Sequence, residues 1–190
     1  MRGRYIHIGL LLFFICTAQL KPQVTSNWNA DTTFYFYFPD SNAEHLVATS
    51  VIFNDKLNNK KILDSIAAYL SNTYFVPKYK YYNNKVKIKI RIQDITIINT
   101  PNKNYSIATV NIEDPAKICM GIYFQGSTGG YNTFLMLVAN LMQPQLEYPL
   151  LDAVIFLYNS EELEQMDHIN LKGIISEREI DNLVRRMIKN

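Results

Sequence analysis

Two cysteines and three histidines in 190 residues leave little material for thiol or metal chemistry. If Cys16 leaves with the amino-terminal segment, Cys119 has no partner for an internal disulfide. Cys119 lies in "KICMGIYF", among apolar neighbours, where a cysteine behaves as a small hydrophobe. Reactive thiols instead occupy electropositive, accessible places. His45 and His168 stand alone, without the His-x-x-x-His or paired-cysteine spacing a metal needs, and His7 falls in the leader. The acids of "SEELEQMD" (160–167) lack the turn glycine and alternating ligands of a calcium loop. Charge is scarce too: 19% of residues are charged and the net charge is only +2. That balance argues against a nucleic-acid partner, which would need concentrated Lys and Arg. There is also no apolar run of about 20 residues, the length of a comfortable membrane span. These scarcities leave no catalytic, cofactor-binding or metal-binding residue to nominate.

Apolar residues, at 48%, suffice for one ordinary core, so a single domain with short terminal additions is expected. The thirteen tyrosines accompany abundant Asn, Ile and Lys, all encoded by AT-rich codons, and are no binding signal by themselves. Arg2 and Arg4 precede the apolar run "YIHIGLLLFFI" (5–15) and the small-residue segment "CTAQ", the three regions of a secretory signal. Three readings follow. Cleavage after Ala18 starts the mature chain near Gln19. Lipidation of Cys16 fits "LLFFIC" as a bacterial lipobox, although Ile15 is larger than the usual residue before the cysteine. An uncleaved anchor is the third. Residues 1–18 are thus a signal or lipoprotein signal, and 19–31, "QLKPQVTSNWNAD", a polar spacer.

From residue 32 the pattern becomes structural. "TTFYFYF" and "HLVATSVIF" (45–53), joined by the turn "PDSN", predict a β-hairpin. Ile62, Ile66, Ala67, Tyr69 and Leu70 recur at helical spacing over 58–73, with Asp55 or Asn58 as the cap. "KVKIKIRIQDITII" (85–98) alternates strictly: Val86, Ile88, Ile90 and Ile92 face inward, while Lys85, Lys87, Lys89 and Arg91 form an outer basic stripe. The alternation alone accounts for these charges as a solvated face that keeps a strand edge from pairing with another chain; contact with an anionic surface is the sharper, second reading. "YSIATVNIED" (105–114) should pair back on it as a hairpin, and "KICMGIYFQ" (117–125) is either strand or a one-turn helix. After Gly130 a helix is expected, with Tyr131, Phe134, Leu135, Val138, Leu141 and Met142 on a broad apolar face, stopping before Pro144. "DAVIFLY" (152–158) reads as a strand. Over 176–190, Ser176 and Glu179 form a capping box for an amphipathic helix with Ile180, Leu183, Val184 and Met187 as its stripe.

The stretch "GSTGG", Gly126, Ser127, Thr128, Gly129 and Gly130, invites a phosphate-loop reading. A P-loop needs Lys and Ser/Thr after its last glycine, and here Tyr131 and Asn132 follow. A dinucleotide loop needs a strand directly before it and an acid ending a later strand; Asp152 precedes its strand instead. The segment reads as a flexible start in which Ser127 or Thr128 caps the helix and the glycines let it approach the sheet. Anion binding by free N–H groups is its alternative use.

Taken in order, "ATVNIED", "GSTGG", "YNTFLMLVANLMQ", "LLDAVIFLYNSEEL" and "DHINLKG", with His168, Asn170 and Leu171, resemble the GerMN domain of bacterial envelope proteins. Residues 32–175 follow that family's order of elements; Gly130 replaces a frequent acid, and Asn159 a glycine that would imply a differently shaped turn. The resemblance implies an α/β (α+β) sandwich: two helices on one face of a small mixed sheet, similar to ring-building motifs, here followed by a C-terminal helix. It implies no catalytic residues, an exported or lipid-anchored envelope location, and partners among other envelope proteins or further copies of the chain. A non-catalytic interaction or assembly protein is the leading expectation. The alternative is an envelope module binding an anionic glycan, lipid head group or phosphate at the Gly126–Gly130 helix start. An enzyme using Asp167 and His168 comes third, because a histidine beside an acid in "MDHIN" serves a loop or cap more often than a base.

Overall fold

The structure is a computed structural model that describes residues 32–52, 57–76, 88–117, 119–163 and 171–188, and only the backbone of Cys119, Ser127 and residues 177–181. The leader with Cys16, the spacer, Lys85, Lys87, Asp167 and His168 therefore lie outside the described residues.

The aromatic segment forms strand β1 (Thr33–Pro39), which pairs antiparallel with β2 (Leu46–Ile52) as the expected hairpin. The hairpin is a two-stranded sheet of its own. Helix α1 (Asn59–Thr73) follows, started by the Asn58 side chain, which accepts a hydrogen bond from the Lys61 backbone N–H at 2.9 Å. Ile62, Leu63, Ile66, Ala67 and Leu70 bury its inner face. Tyr69, expected on that face, stands at its rim with its ring 4.1 Å from the ring of Phe36.

The main sheet begins with β3 (Lys89–Asn99) and β4 (Asn104–Glu113), paired antiparallel with a bulge between Ile92 and Asp94. β4 lies parallel to β5 (Ala153–Tyr158), and β5 also pairs with the short β6 (Glu161–Glu162) and β7 (Ile174–Ser176). The sheet is mixed, with β3 at one outer edge and the short β6 and β7 at the other. As the alternation predicts, Ile88, Ile90 and Ile92 are buried while Lys89 and Arg91 face outward.

A short helix α2 (Cys119–Tyr123) and a π-helical turn (Gly126–Gly130) lead into α3 (Tyr131–Met142). α3 contacts α1, β5 and the hairpin strand β1. Its residues from Asn132 to Met142 are all buried. A helix apolar nearly all round belongs inside a protein, and α3 lies between the hairpin and the main sheet. The expected broad face is thus a full circumference, with Asn132, Thr133 and Asn140 buried among the apolar residues. The mixed α+β single domain agrees with the fold class read from the sequence; the separate hairpin sheet is an addition to it.

Helix α4 (Glu177–Met187) packs on α3 and β7 through Val184. Leu183, expected on its apolar stripe, is instead exposed. The chain then returns to the hairpin, where Ile188 makes a parallel bridge to Leu46. Among the described residues no helix is long and apolar enough to cross a membrane.

Candidate functional site

The glycine-rich start of α3 differs from its expected role in two respects. Helical winding reaches back to Gly126, so Ser127 and Thr128 lie within a turn rather than ahead of one. The capping positions are Gln125 and Gly130, and neither makes a side-chain capping bond. Nor do Gly126 and Gly129 serve close packing: a Cβ added at either would meet nothing within 4 Å. Gly126 is needed for its backbone, with φ at +76°, a conformation that side chains disfavour. A parallel β4–α3–β5 unit does exist, but α2 separates the end of β4 from the glycines. Asp152 is committed elsewhere. Its Oδ2 accepts from the backbone N–H and hydroxyl of Ser106 at 2.8 and 3.0 Å, and its Oδ1 pairs with Lys103 at 2.5 Å.

The basic stripe is partly neutralised. Arg91 donates to Glu113, its Nε lying 2.6 Å from Oε1, and that bond raises the Arg91 pKa further. Lys89 sits opposite Glu113 in the ladder. The stripe borders the outer edge of the main sheet, where a helix assists it: the Ser71 hydroxyl of α1 accepts the Ile90 backbone N–H at 2.8 Å. Charge, a bulge and a helix hydroxyl all finish this edge.

The hairpin's inner edge is finished by amides. Asn140 of α3 accepts the Tyr37 N–H at 3.1 Å and donates to the Tyr37 carbonyl at 2.8 Å. Gln143, just past the helix, does the same for Tyr35, both bonds at 2.8 Å. Two side-chain amides therefore stand where a neighbouring strand would run. Sequence reading passed over both residues because isolated Asn and Gln in an apolar helix carry no pattern. Beside them the Tyr37 side chain is fully buried, its hydroxyl near the Gln145 backbone but without a hydrogen-bond partner. Burial, the largest cause, raises its pKa well above the ordinary value.

The two turns flanking these sheets hold the remaining polar groups. In the hairpin turn, the Asp40 carboxylate accepts the Glu44 N–H at 3.0 Å, which lowers its pKa, and lies 3.6 Å from His45. Phe38, Tyr69 and Tyr74 form a shallow aromatic cleft beside it. After β5, Asn159 and Ser160 have φ of +51° and +69° and make the two-residue turn to β6. Asn159 adopts the backbone that a glycine would permit, so its presence does not require a different turn. Its side chain binds both sides of Asp114, accepting the N–H at 2.7 Å and donating to the carbonyl at 3.0 Å.

Among the described residues, the hairpin's other edge, along β2, has none of these finishes. Val47, Thr49, Ser50 and Ile52 are exposed, and among the described residues only Ile188 bridges this strand from outside the hairpin, at Leu46.

No protein-family model and no curated protein matches this sequence. Among solved structures, the crystal structure of a putative lipoprotein from Clostridium perfringens is similar in outline. It is 10% identical, and the match covers 82% of this chain and 94% of that one at a TM-score of 0.39, too loose to show a common fold.

Proposed function

We propose that this chain is a non-catalytic protein exported to the bacterial envelope, where it acts in protein–protein interaction or assembly. The observation that carries this reading is the outer edge of β2, which among the described residues is bridged only at Leu46, whereas β1 is sealed by helix amides and β3 carries charge, a bulge and a helix hydroxyl. An exposed strand edge is a template for another chain, and it is retained where pairing is useful. The signal-like residues 1–18, with Cys16 as the candidate lipid attachment, support export. The GerMN-like order of motifs supports the same location and partners of protein nature.

Fractionation of cells expressing the full chain, with mass spectrometry of the native amino terminus and recovery of bound proteins after mild cross-linking, tests the proposal. Expected are recovery in the envelope fraction, a terminus at Gln19 or a lipidated Cys16, and specific cross-linked species. Recovery in the cytosol with an intact, unmodified terminus and no cross-linked species would count decisively against it.

A further inference from the structure

We infer that the outer edge of β2 pairs antiparallel with the same strand of a second copy of this chain, joining two hairpins into one continuous four-stranded sheet. This rests on the interaction reading above and names the partner.

The direction of the free groups follows from the register. Tyr35 and Tyr37 turn their main-chain groups toward Gln143 and Asn140, away from β2. Their cross-strand partners Ser50 and Ala48 must then turn theirs away from β1, because opposed residues of an antiparallel pair share one hydrogen-bonding state. The outer N–H and C=O groups of Ala48 and Ser50 therefore lie along the open side. The strand "LVATSVI" contains no charged residue, no proline and no glycine, the devices that discourage edge pairing.

The choice of a second copy comes from the order of side chains. About Thr49 the strand is nearly palindromic: Leu46 matches Ile52, Val47 matches Val51, and Ala48 matches Ser50 in size. Antiparallel self-pairing centred on Thr49 places like opposite like, with valine against valine and no charges opposed. It also makes Ala48 and Ser50 the hydrogen-bonded pair, as their outward groups require. Leu46 already bridges Ile188, which closes the ladder at that end and confines the shared rungs to residues 47–51. Apolar surface adjoins the edge. Val47, 45% exposed, is the cross-strand partner of Phe38, whose ring lies 5.9 Å from that of the half-exposed Tyr69. A two-fold axis through Thr49 would bury both copies of that patch beside the new ladder.

Cysteine cross-linking in envelopes from cells expressing the full chain reads the register directly. In this pairing Thr49 faces its own counterpart in a non-hydrogen-bonded pair, with Cα atoms about 4.5 Å apart, within the disulfide range. Mild oxidation should convert Thr49→Cys to a covalent species of twice the chain mass, well above the wild-type background from Cys16 and Cys119. Val47→Cys alone should give none, whereas Val47→Cys co-expressed with Val51→Cys should. Ile98→Cys, exposed on β3 beyond its bulge, is the control and should remain monomeric. Adding Ser50→Pro, which removes one outward N–H, or Ala48→Lys should cut the Thr49→Cys dimer roughly tenfold, the scale of a lost hydrogen bond. Circular dichroism of each variant checks that the fold is kept.

A Thr49→Cys protein that keeps its fold and reacts with a soluble thiol reagent, yet forms no dimer above the wild-type level, overturns the inference. Cross-linking of Thr49→Cys to a protein of another mass also overturns self-pairing while supporting the interaction function. Failure of the functional proposal itself reads out separately, as a protein absent from the envelope.

Discussion

Strands β2 and β3 are both outer strands, and they meet solvent in opposite ways. β3 carries Lys89 and Arg91, is interrupted by a bulge, and has its Ile90 N–H taken by Ser71 of α1. β2 carries no charge and no bulge, and only its first residue is bridged from beyond the hairpin among the described residues. A chain that merely tolerated exposed edges would treat them alike. On the function proposed above, edge pairing is suppressed along the charged stretch of β3 and left available on the hairpin. The inner edge of the hairpin makes the same point, since Asn140 and Gln143 are spent on sealing β1.

The largest effect should come from unsealing that inner edge. Asn140→Leu leaves the Tyr37 N–H and carbonyl buried without partners, at an expected cost of about 2–5 kcal/mol measured by urea unfolding. A loss no larger than that of an exposed substitution would show that the amides are incidental to the fold. A smaller effect, visible only in alkali, is expected at Tyr37. Burial raises its folded pKa, so its stabilising contribution is complete below the unfolded value of about 10 and is lost as pH rises beyond it. Tyr37→Phe should therefore flatten the fall in thermal midpoint above that pH; an unchanged slope would mean that the hydroxyl is not dry. The smallest change in stability, and the sharpest test of the contrast, is Lys89→Thr with Arg91→Thr. Stripping charge from β3 should leave the thermal midpoint nearly unmoved while increasing concentration-dependent association in light scattering. No new association would show that the bulge and Ser71 protect the edge by themselves.

Much of the fold was legible because local chemistry and tertiary role agree. The alternation through Ile88, Ile90 and Ile92, the Asn58 cap and the stop before Pro144 all appear where sequence reasoning puts them. The candidate site was less legible. The "GSTGG" segment drew attention through its composition, yet its visible requirement is the left-handed backbone of Gly126. The basic stripe was readable as a stripe, and its partner Glu113 became evident only from the strand register. Tyr69 and Leu183 left their predicted faces because helical period specifies which residues share a stripe and not how much of that stripe another element covers.

The sequence by itself determined the elements, their order and the two-faced character of β3, since these depend on neighbouring residues through the periods of strand and helix. It also contained the uncharged, nearly palindromic "LVATSVI". Whether that strand would be sealed or open was decided only by tertiary structure. Contacts between β1 and α3 join residues more than a hundred positions apart, and no local pattern encodes which strand edge a helix amide will reach. By seating Asn140 and Gln143 against β1, the fold closed one side of the hairpin and left β2 as the other.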